Sequence, residues 1–261
     1  MTWCVFGSKL CGFRPTGRLH LGHYFSVIKP GQAGCDVLVA EYHAPEEINL
    51  ESVNLLRYYG VQNVRMQKEV FNAELYFRLL LLSKTGDLGR MTQYKAAEED
   101  DRTGHLMTYP VLMAHDVAGY VEVIVGEDQK QHLEYARKLL RKCNSVFKTE
   151  YPIPMANIVV GRIKDLREPT KKMSKSSPQG CLFLDDTVDD IRQKIRKATA
   201  DEEGLNNLKF LYGEFVRETP PDSNQKLKET LAEAIIEVTD KPRRYAALDE
   251  MVRISQEMGL Y

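Results

Sequence analysis

The sequence predicts an α/β fold in which a Rossmann-like, parallel, doubly wound sheet is followed by a small C-terminal α-helical domain. Short apolar runs alternate with amphipathic helical patterns up to about residue 186 of the 261-residue chain, and this alternation is typical of a parallel sheet. Most of the apolar runs carry too little polar alternation for a half-exposed sheet. From residue 187 the strand pattern disappears and helical patterns follow one another.

Individual elements follow from the period of the apolar residues. Four runs are predicted to be strands: KLCGF (9–13), DVLVAEY (36–42), NVRMQKEV (63–70) and VEVIVGE (121–127). Apolar side chains at i, i+3 and i+4 predict helices at 47–59, 72–84 and 128–142, and further helices at 187–199, 204–215 and 224–238. We therefore expect one domain at residues 1–186 and a second, helical domain at residues 187–261.

Composition excludes several classes of protein. The 36 basic and 37 acidic side chains nearly cancel, so contacts with nucleic acid must come from local patches. The five cysteines include no C-x-x-C pair, which argues for a reducing compartment and against a disulfide framework or a zinc site. Because no segment is typical of a membrane span or a signal peptide, we expect a cytoplasmic protein that contacts no membrane.

A histidine-rich turn follows the first predicted strand. The stretch GFRPTGRLHLGHY (12–24) places His20, Gly22 and His23 at the start of a helix. Free N–H groups and the helix dipole favour an anion at such a position, and the two imidazoles can donate to phosphate oxygens. The same residues could instead form a capped helix with two solvent-facing histidines, and this stretch alone leaves both interpretations open.

A lysine-rich loop precedes the helical region. The stretch KKMSKS (171–176) combines lysines and serines in a segment that we expect to have little apolar anchoring. Such lysines could neutralise a polyphosphate while the loop closes over a nucleotide. Taken alone, the same run is typical of a solvated basic loop.

Five stretches in one order resemble the tryptophanyl-tRNA synthetases of the bacterial type. They are PTGRLHLGHY (15–24), RMTQYK (90–95), TYPVLMAHD (108–116), VGEDQKQH (125–132) and PTKKMSKS (169–176). The resemblance implies that the tryptophan carboxylate attacks the α-phosphate of ATP and that the resulting adenylate then esterifies the 3′ end of tRNA(Trp). It also implies that Mg²⁺ accompanies ATP and that the protein is a homodimer.

The resemblance assigns residues to ATP by matching position. The catalytic residues would be His20, His23, Lys172 and Lys175, and no residue is assigned to a metal. The ATP contacts would be Arg14, Pro15, Thr16, Gly22, His23, Gly126, Glu127, Asp128, Ile163, Lys172, Met173, Ser174, Lys175 and Ser176. Arg14 and His23 stand where the family usually has Gln and Asn, and Arg14 adds a positive charge near the α-phosphate or the carboxylate.

The choice of amino acid depends on the stretch that ends at Asp116. An Asp at the end of an apolar run is usually a surface residue or a cap, but in the family this acid accepts a hydrogen bond from the selected side chain. Tyrosyl-tRNA synthetases share the acid and normally add a Tyr and a Gln where this chain has Leu10 and Met113. An apolar pocket suits an indole, and tyrosine stays as the alternative. The tryptophan contacts would be Leu10, His43, Tyr109, Met113, Asp116, Val123, Val125 and Gln129.

The region after the lysine-rich loop departs from the family. Residues 182–261 are fewer than family members normally have there, and the missing parts lie where the family reads the anticodon. We therefore expect little or no anticodon recognition, with IRQKIRKAT (191–199) and KPRR (241–244) as local phosphate contacts. A second alternative is a sensor that binds tryptophan or an adenylate without charging tRNA, although the intact lysines argue against it.

Overall fold

A computed structural model describes residues 8–44, 48–158 and 163–257, without the side chains at 241, 243 and 246–257. The chain forms two compact units. The first comprises Met1–Pro15, Lys29–Ile48 and Val61–Val160, and the second comprises Thr16–Ile28, Asn49–Gly60 and Gly161–Tyr261. The expected domain boundary after residue 186 stays a prediction.

The first unit contains a five-stranded parallel sheet, which confirms the predicted parallel sheet and its four predicted strands and adds a fifth. Its strands are β1 (Lys9–Phe13), β2 (Asp36–Val39), β3 (Val64–Met66), β4 (Glu122–Val125) and β5 (Met155–Ile158), in the order β3-β2-β1-β4-β5. The strand order reverses between β1 and β4. Doubly wound sheets bind ligands beyond the carboxyl ends of their strands at such a switch point.

The sheet differs from the prediction in several places. Residues 41–42 and residue 127 were expected to end strands, but they lie in 3₁₀ turns at Glu41–His43 and Glu127–Gln129. The segment QKEV (67–70) was expected to continue a strand but forms a short helix, since Gln, Lys and Glu favour helix over strand. Strand β5 was not predicted, because its residues MANI are largely exposed and carry no apolar run.

Helices cover most of the remaining described residues. In chain order they are α1 (Leu21–His23), α2 (Lys29–Gln32), α3 (Leu50–Tyr58), α4 (Gln67–Val70), α5 (Ala73–Leu82), α6 (Thr85–Leu88), α7 (Thr92–Ala96), α8 (Gly104–Asp116), α9 (Lys130–Phe147), α10 (Val188–Arg196), α11 (Glu202–Phe215) and α12 (Asn224–Glu257). A π-helical turn at Tyr24–Ile28 separates α1 from α2. None of the described helices is long and apolar enough to cross a membrane.

Each unit has its own apolar core. In the first, α5, α8 and α9 pack with the sheet through buried residues such as Leu79, Val111 and Leu139. In the second, α12 packs on α10 and α11, and Ile195 and Leu231 are buried. The predicted helices are confirmed, but their ends differ. Helices α9 and α12 extend beyond the predicted ends, residues 128–129 lie in a 3₁₀ turn, and residues 197–199 follow the end of α10; residue 47 lies outside the described residues.

Candidate active site

The carboxyl ends of β1 and β4 lie side by side at the switch point of the sheet. Leu10 pairs with Val123 in the β1–β4 register, so the segments that follow the two strands begin at the same edge. These segments contain Arg14 and Pro15 after β1 and residues 126–128 after β4. The ATP residues assigned to the first unit therefore occupy the edge where this fold binds ligands.

Gly126 lies directly beneath the side chain of Asp128 in its own loop. A Cβ atom at this position would lie 2.5 Å from Asp128 Oδ1, closer than van der Waals contact allows. Glu127 and Asp128 follow in a 3₁₀ turn at Glu127–Gln129, and both side chains are exposed. Their carboxylates are thus accessible to a polar ligand at the end of β4.

Asp116 is a buried carboxylate with several protein donors. Its side chain is 6% exposed, and it accepts hydrogen bonds from His43 Nε2 at 2.7 Å, from Gln67 Nε2 at 2.8 and 2.9 Å, and from His115 Nδ1 at 3.1 Å. Burial alone would raise the pKa of Asp116, but the hydrogen bonds from His115 and His43 outweigh it and lower the pKa below its usual value. Asp116 is therefore an ionised anchor inside the unit and not a surface residue or a cap.

The ionised carboxylate of Asp116 is energetically unfavourable at its position in the fold. Asp116 is the last residue of α8, where the helix dipole disfavours an anion. Breaking a buried charge cluster by removing one partner typically costs about 3 to 5 kcal/mol. Desolvated carboxylates with specific partners cluster at functional sites, so Asp116 is a candidate site residue.

His43 has one paired and one unpaired ring nitrogen. Because ionised Asp116 can only accept, the proton of the His43–Asp116 hydrogen bond belongs to Nε2 of His43. Among the described residues Nδ1 of His43 has no hydrogen-bond partner, although it is buried. Buried polar atoms are normally paired, so this acceptor is suited to a donor on a ligand.

Aromatic and polar residues form a chain of contacts that runs from His43 to Gln129. The Tyr109 ring lies edge-on to the His43 ring at 4.4 Å and tilted to the His132 ring at 5.2 Å. His132 Nδ1 is 3.0 Å from Gln129 Oε1. Burial raises the pKa of Tyr109 and lowers the pKa of His132, so both groups are neutral near pH 7. The structure thus brings the predicted residues His43, Tyr109 and Gln129 together.

The apolar residues predicted for the amino-acid pocket also share one cluster. Leu10, Val123 and Val125 are buried in the core of the first unit, and half-buried Met113 packs against it. Met113 and Asp116 lie one turn apart on α8. The helix therefore presents an apolar side chain and the buried carboxylate within the same unit.

Sequence reasoning missed two neighbours of Asp116. Gln67 is fully buried and bridges Asp116 to the backbone, since its Oε1 accepts the N–H of Tyr42 at 2.8 Å. It was overlooked because QKEV was interpreted as a strand. His115 precedes Asp116 directly, and two adjacent titratable residues at the end of an apolar run were the signal that could have revealed it.

The two histidines of the second unit form a local hydrogen-bond cap. His20 Nδ1 accepts the N–H of Gly22 at 3.0 Å, and His23 Nδ1 accepts the N–H of His20 at 3.1 Å. Both rings therefore carry their proton on Nε2. The expectation of a free N–H for an anion is wrong at Gly22, and the alternative of two solvent-facing histidines is wrong because His20 is buried.

Both imidazoles are neutral at pH 7. Burial, followed by the charges of Lys175 and Lys172, lowers the pKa of His20 to about 4. Burial also lowers the pKa of His23 well below its ordinary value. Neutral rings with Nε2–H groups can donate to phosphate oxygens, which is the chemistry expected for these positions.

The lysine-rich loop, named the KMSKS loop after residues 172–176, is held by backbone hydrogen bonds. Met173 N–H donates to Ile163 O at 2.8 Å and Asp165 N–H donates to Lys171 O at 3.0 Å. The expectation of little apolar anchoring is wrong at Met173, which is 2% exposed. The flanking side chains of Lys172 and Ser174 are exposed.

Two further contacts involve the polar side chains of this loop. Ser174 Oγ and Ser176 Oγ are 3.0 Å apart, and Lys175 Nζ donates to the carbonyl of Thr16. In the second unit the structure thus joins Ile163 with Met173, and Thr16 with Lys175.

A parallel β3-β2-β1-β4-β5 sheet, a histidine pair at a helix start and a KMSKS loop together define a class I aminoacyl-tRNA synthetase. The family model described as tRNA synthetases class I (W and Y) matches residues 46–252, and the chain belongs to this family.

Individual proteins support the same assignment. The Tryptophan–tRNA ligase of Mycoplasma genitalium is 35% identical over 77% of this chain and 67% of its own length. The Tryptophan–tRNA ligase of Caldanaerobacter subterraneus subsp. tengcongensis is 32% identical over 94% of this chain and 90% of its own. The crystal structure of tryptophanyl-tRNA synthetase from Mycoplasma pneumoniae superposes with a TM-score of 0.77 at 30% identity, covering 92% of this chain and 87% of that one.

Proposed function

We propose that this protein activates L-tryptophan with ATP and transfers it to tRNA(Trp). The observation that carries the proposal is buried, ionised Asp116 with His43 in a unit whose apolar cluster contains Leu10 and Met113. The similar proteins named Tryptophan–tRNA ligase support the same substrate. Class I synthetases use ATP, which supplies the leaving group of the activation step.

Recognition of tryptophan would use the indole N–H. An ionised carboxylate has about four acceptor positions, and Gln67 Nε2 alone contacts both oxygens of Asp116. Gln67 can therefore keep one contact while the indole N–H replaces the other. The unpaired Nδ1 of His43 would accept from a second donor of the substrate. Leu10, Tyr109, Met113, Val123, Val125 and Gln129 would complete the tryptophan contacts.

Activation forms a bond between a carboxylate oxygen of tryptophan and the α-phosphorus of ATP. The bond from that phosphorus to the bridging oxygen breaks, and pyrophosphate leaves. Neutral His20 and His23 would donate from Nε2 to phosphate oxygens, while Lys172 and Lys175 would neutralise the departing charge. The remaining ATP contacts would be Arg14, Pro15, Thr16, Gly22, Gly126, Glu127, Asp128, Ile163, Met173, Ser174 and Ser176.

Magnesium would accompany ATP. Mg²⁺ gives up its waters reluctantly and is commonly bound through substrate phosphates. The described part of the chain contains no cluster of three His, Cys, Asp or Glu side chains that could hold a metal ion.

Contact with tRNA would use local basic groups. Arg196 and Lys197 are exposed at the C-terminal end of α10, whereas Arg192 is paired with Glu233 at 2.8 Å. Alanine at both Arg196 and Lys197 should weaken tRNA charging while leaving amino-acid activation unchanged. Equal charging of normal and anticodon-mutated tRNA(Trp) would support the expected lack of anticodon recognition, and strict dependence on the anticodon would contradict it.

A homodimer is proposed through an exposed apolar face. Phe77 and Leu81 on α5 are 60% and 79% exposed, and Val146 on α9 is 53% exposed. Helices α5 and α9 contact each other, and exposed apolar side chains on adjacent helices mark an interface where they form a contiguous patch. In light-scattering measurements Leu81→Glu should give monomers, whereas Val121→Glu, also at an exposed apolar residue, should not.

Charging of tRNA(Trp) with labelled tryptophan tests the proposal as a whole. Accumulation of labelled aminoacyl-tRNA that requires ATP would support it. Tryptophan binding without any charging would favour the sensor, and charging of tRNA(Tyr) with tyrosine would favour the other alternative.

A further inference from the structure

His115 directly contacts the carboxylate that would select the indole. It is 5% exposed, and its Nδ1 lies 3.1 Å from Asp116 Oδ1. We propose that His115 is a positioning residue that fixes Asp116 for hydrogen bonding with the indole N–H. The inference rests on the proposed activation of tryptophan and assigns His115 a part in amino-acid specificity.

The protonation of His115 follows from its second partner. Its Nε2 lies 2.9 Å from the backbone N–H of Asn72, and a backbone N–H can only donate. Nε2 must therefore be an acceptor, which places the ring proton on Nδ1. His115 is thus held as the tautomer that donates to Asp116.

The ring is held on more than one side. Asn72 is the N-cap of α5, and its Oδ1 accepts the N–H of Leu75 at 2.9 Å. The Phe71 ring lies 4.7 Å from the His115 ring. His115 therefore connects the fixed start of α5 to one oxygen of Asp116.

The two oxygens of Asp116 have different partners. Oδ1 accepts from Gln67 and His115, and Oδ2 accepts from His43 and Gln67. If Gln67 gives up one contact to the substrate, His115 and His43 remain as one donor for each oxygen. Loss of His115 would leave Oδ1 with at most the Gln67 contact while His43 still holds Oδ2, so the direction of the acceptor positions on Oδ1 would be less well fixed.

Two substitutions separate the two halves of the imidazole. His115→Asn retains an amide nitrogen near the position of Nδ1, which can still donate to Asp116. His115→Gln retains a carbonyl oxygen near the position of Nε2, which can still accept the N–H of Asn72. His115→Asn keeps the donor to Asp116 and loses the acceptor for Asn72, and His115→Gln does the reverse. Each variant is therefore the control for the other.

The readout is ATP–pyrophosphate exchange with tryptophan and with phenylalanine. In His115→Gln we expect the tryptophan-over-phenylalanine ratio of kcat/KM to fall by about tenfold, the size of one hydrogen bond to a charged group. His115→Asn should retain most of the ratio, and the KM for ATP should stay unchanged in both variants. A retained ratio in His115→Gln, or a lost ratio in His115→Asn, would overturn the inference.

Thermal unfolding accompanies the kinetics. If His115→Gln does not fold, His115→Ala takes its place, since it also lacks the donor to Asp116. ATP–pyrophosphate exchange with tryptophan by the unsubstituted protein distinguishes a failure of the proposed function from a failure of this inference alone. Its absence would overturn the proposed function and this inference together, whereas its presence with an unchanged ratio in the donor-lacking variant would overturn the inference alone.

Discussion

His43 donates through Nε2 to Asp116 Oδ2 over 2.7 Å, and both side chains are almost completely buried. The contact fixes the ionised form of Asp116 and leaves Nδ1 of His43 as an acceptor. A carboxylate and an imidazole nitrogen that can each accept a hydrogen bond thus occupy adjacent positions among the residues that we assign to tryptophan.

Replacement of Asp116 by Ala should impair both specificity and rate. The substitution leaves buried donors on His43, Gln67 and His115 without their acceptor, at a cost of about 1 to 3 kcal/mol for each unpaired group. We expect kcat/KM for tryptophan to fall more than tenfold and discrimination against phenylalanine to decrease in pyrophosphate exchange. Asp101→Ala, at an exposed carboxylate, is the control. An unchanged tryptophan-over-phenylalanine ratio in Asp116→Ala would contradict the assigned role.

Gly22 should not tolerate a side chain. A Cβ atom there would lie 2.6 Å from Cε1 of His20, so Gly22→Ala must displace the imidazole and break its hydrogen bond with residue 22. Exchange activity should fall, mainly through a higher KM for ATP. Gly213→Ala is the matched control, because no atom lies within 4 Å of a Cβ atom at that position. Equal activity of the two variants would refute the proposed placement of His20.

Acidification should destabilise the protein through His20. The pKa of His20 lies near 4 in the folded chain because of burial and the nearby lysines, against about 6.5 in an unfolded chain. Between these values the unfolded chain binds a proton that the folded chain does not, so stability falls as pH decreases from about 6.5 towards 4. Denaturant titrations should show a smaller fall in His20→Asn than in the unsubstituted protein. An identical fall in both, or an equal reduction in His105→Asn, would contradict this origin.

Asn207 should hold the segment that precedes the KMSKS loop. Its Oδ1 accepts the N–H of Lys164 and its Nδ2 donates to the carbonyl of Lys164, each over 3.1 Å. Lys164 forms an antiparallel bridge with Lys172. Asn207→Ala should therefore lower kcat of exchange more than it raises the KM for tryptophan. Asn206→Ala, at an exposed position of the same helix, should leave both constants unchanged, and a matching loss there would argue against the role of Asn207.

Periodicity predicted the elements that are apolar or regularly amphipathic. β1, β2 and β4 and helices such as α5 and α10 followed from this pattern. The exposed edge strand β5 could not be found in this way, since its stability depends on pairing with β4. Tertiary contacts of this kind are not encoded in local composition.

The candidate site was predictable only in part. Motifs brought Asp116, His43 and the histidine pair into consideration, because their chemistry is visible in residue types and spacing. The contact of Gln67 with Asp116 and the contact of His115 with Asn72 join segments that are far apart in sequence. The directions of the hydrogen bonds at His20 and His115, and hence the tautomers of both rings, could be assigned only from the structure.

Amino-acid-dependent ATP–pyrophosphate exchange without tRNA tests the central claim most directly. The buried carboxylate of Asp116 and the apolar residue Met113 predict exchange with tryptophan and little or none with tyrosine or phenylalanine. Exchange that depends on tyrosine instead, or the absence of exchange with all three amino acids, would contradict the proposed function.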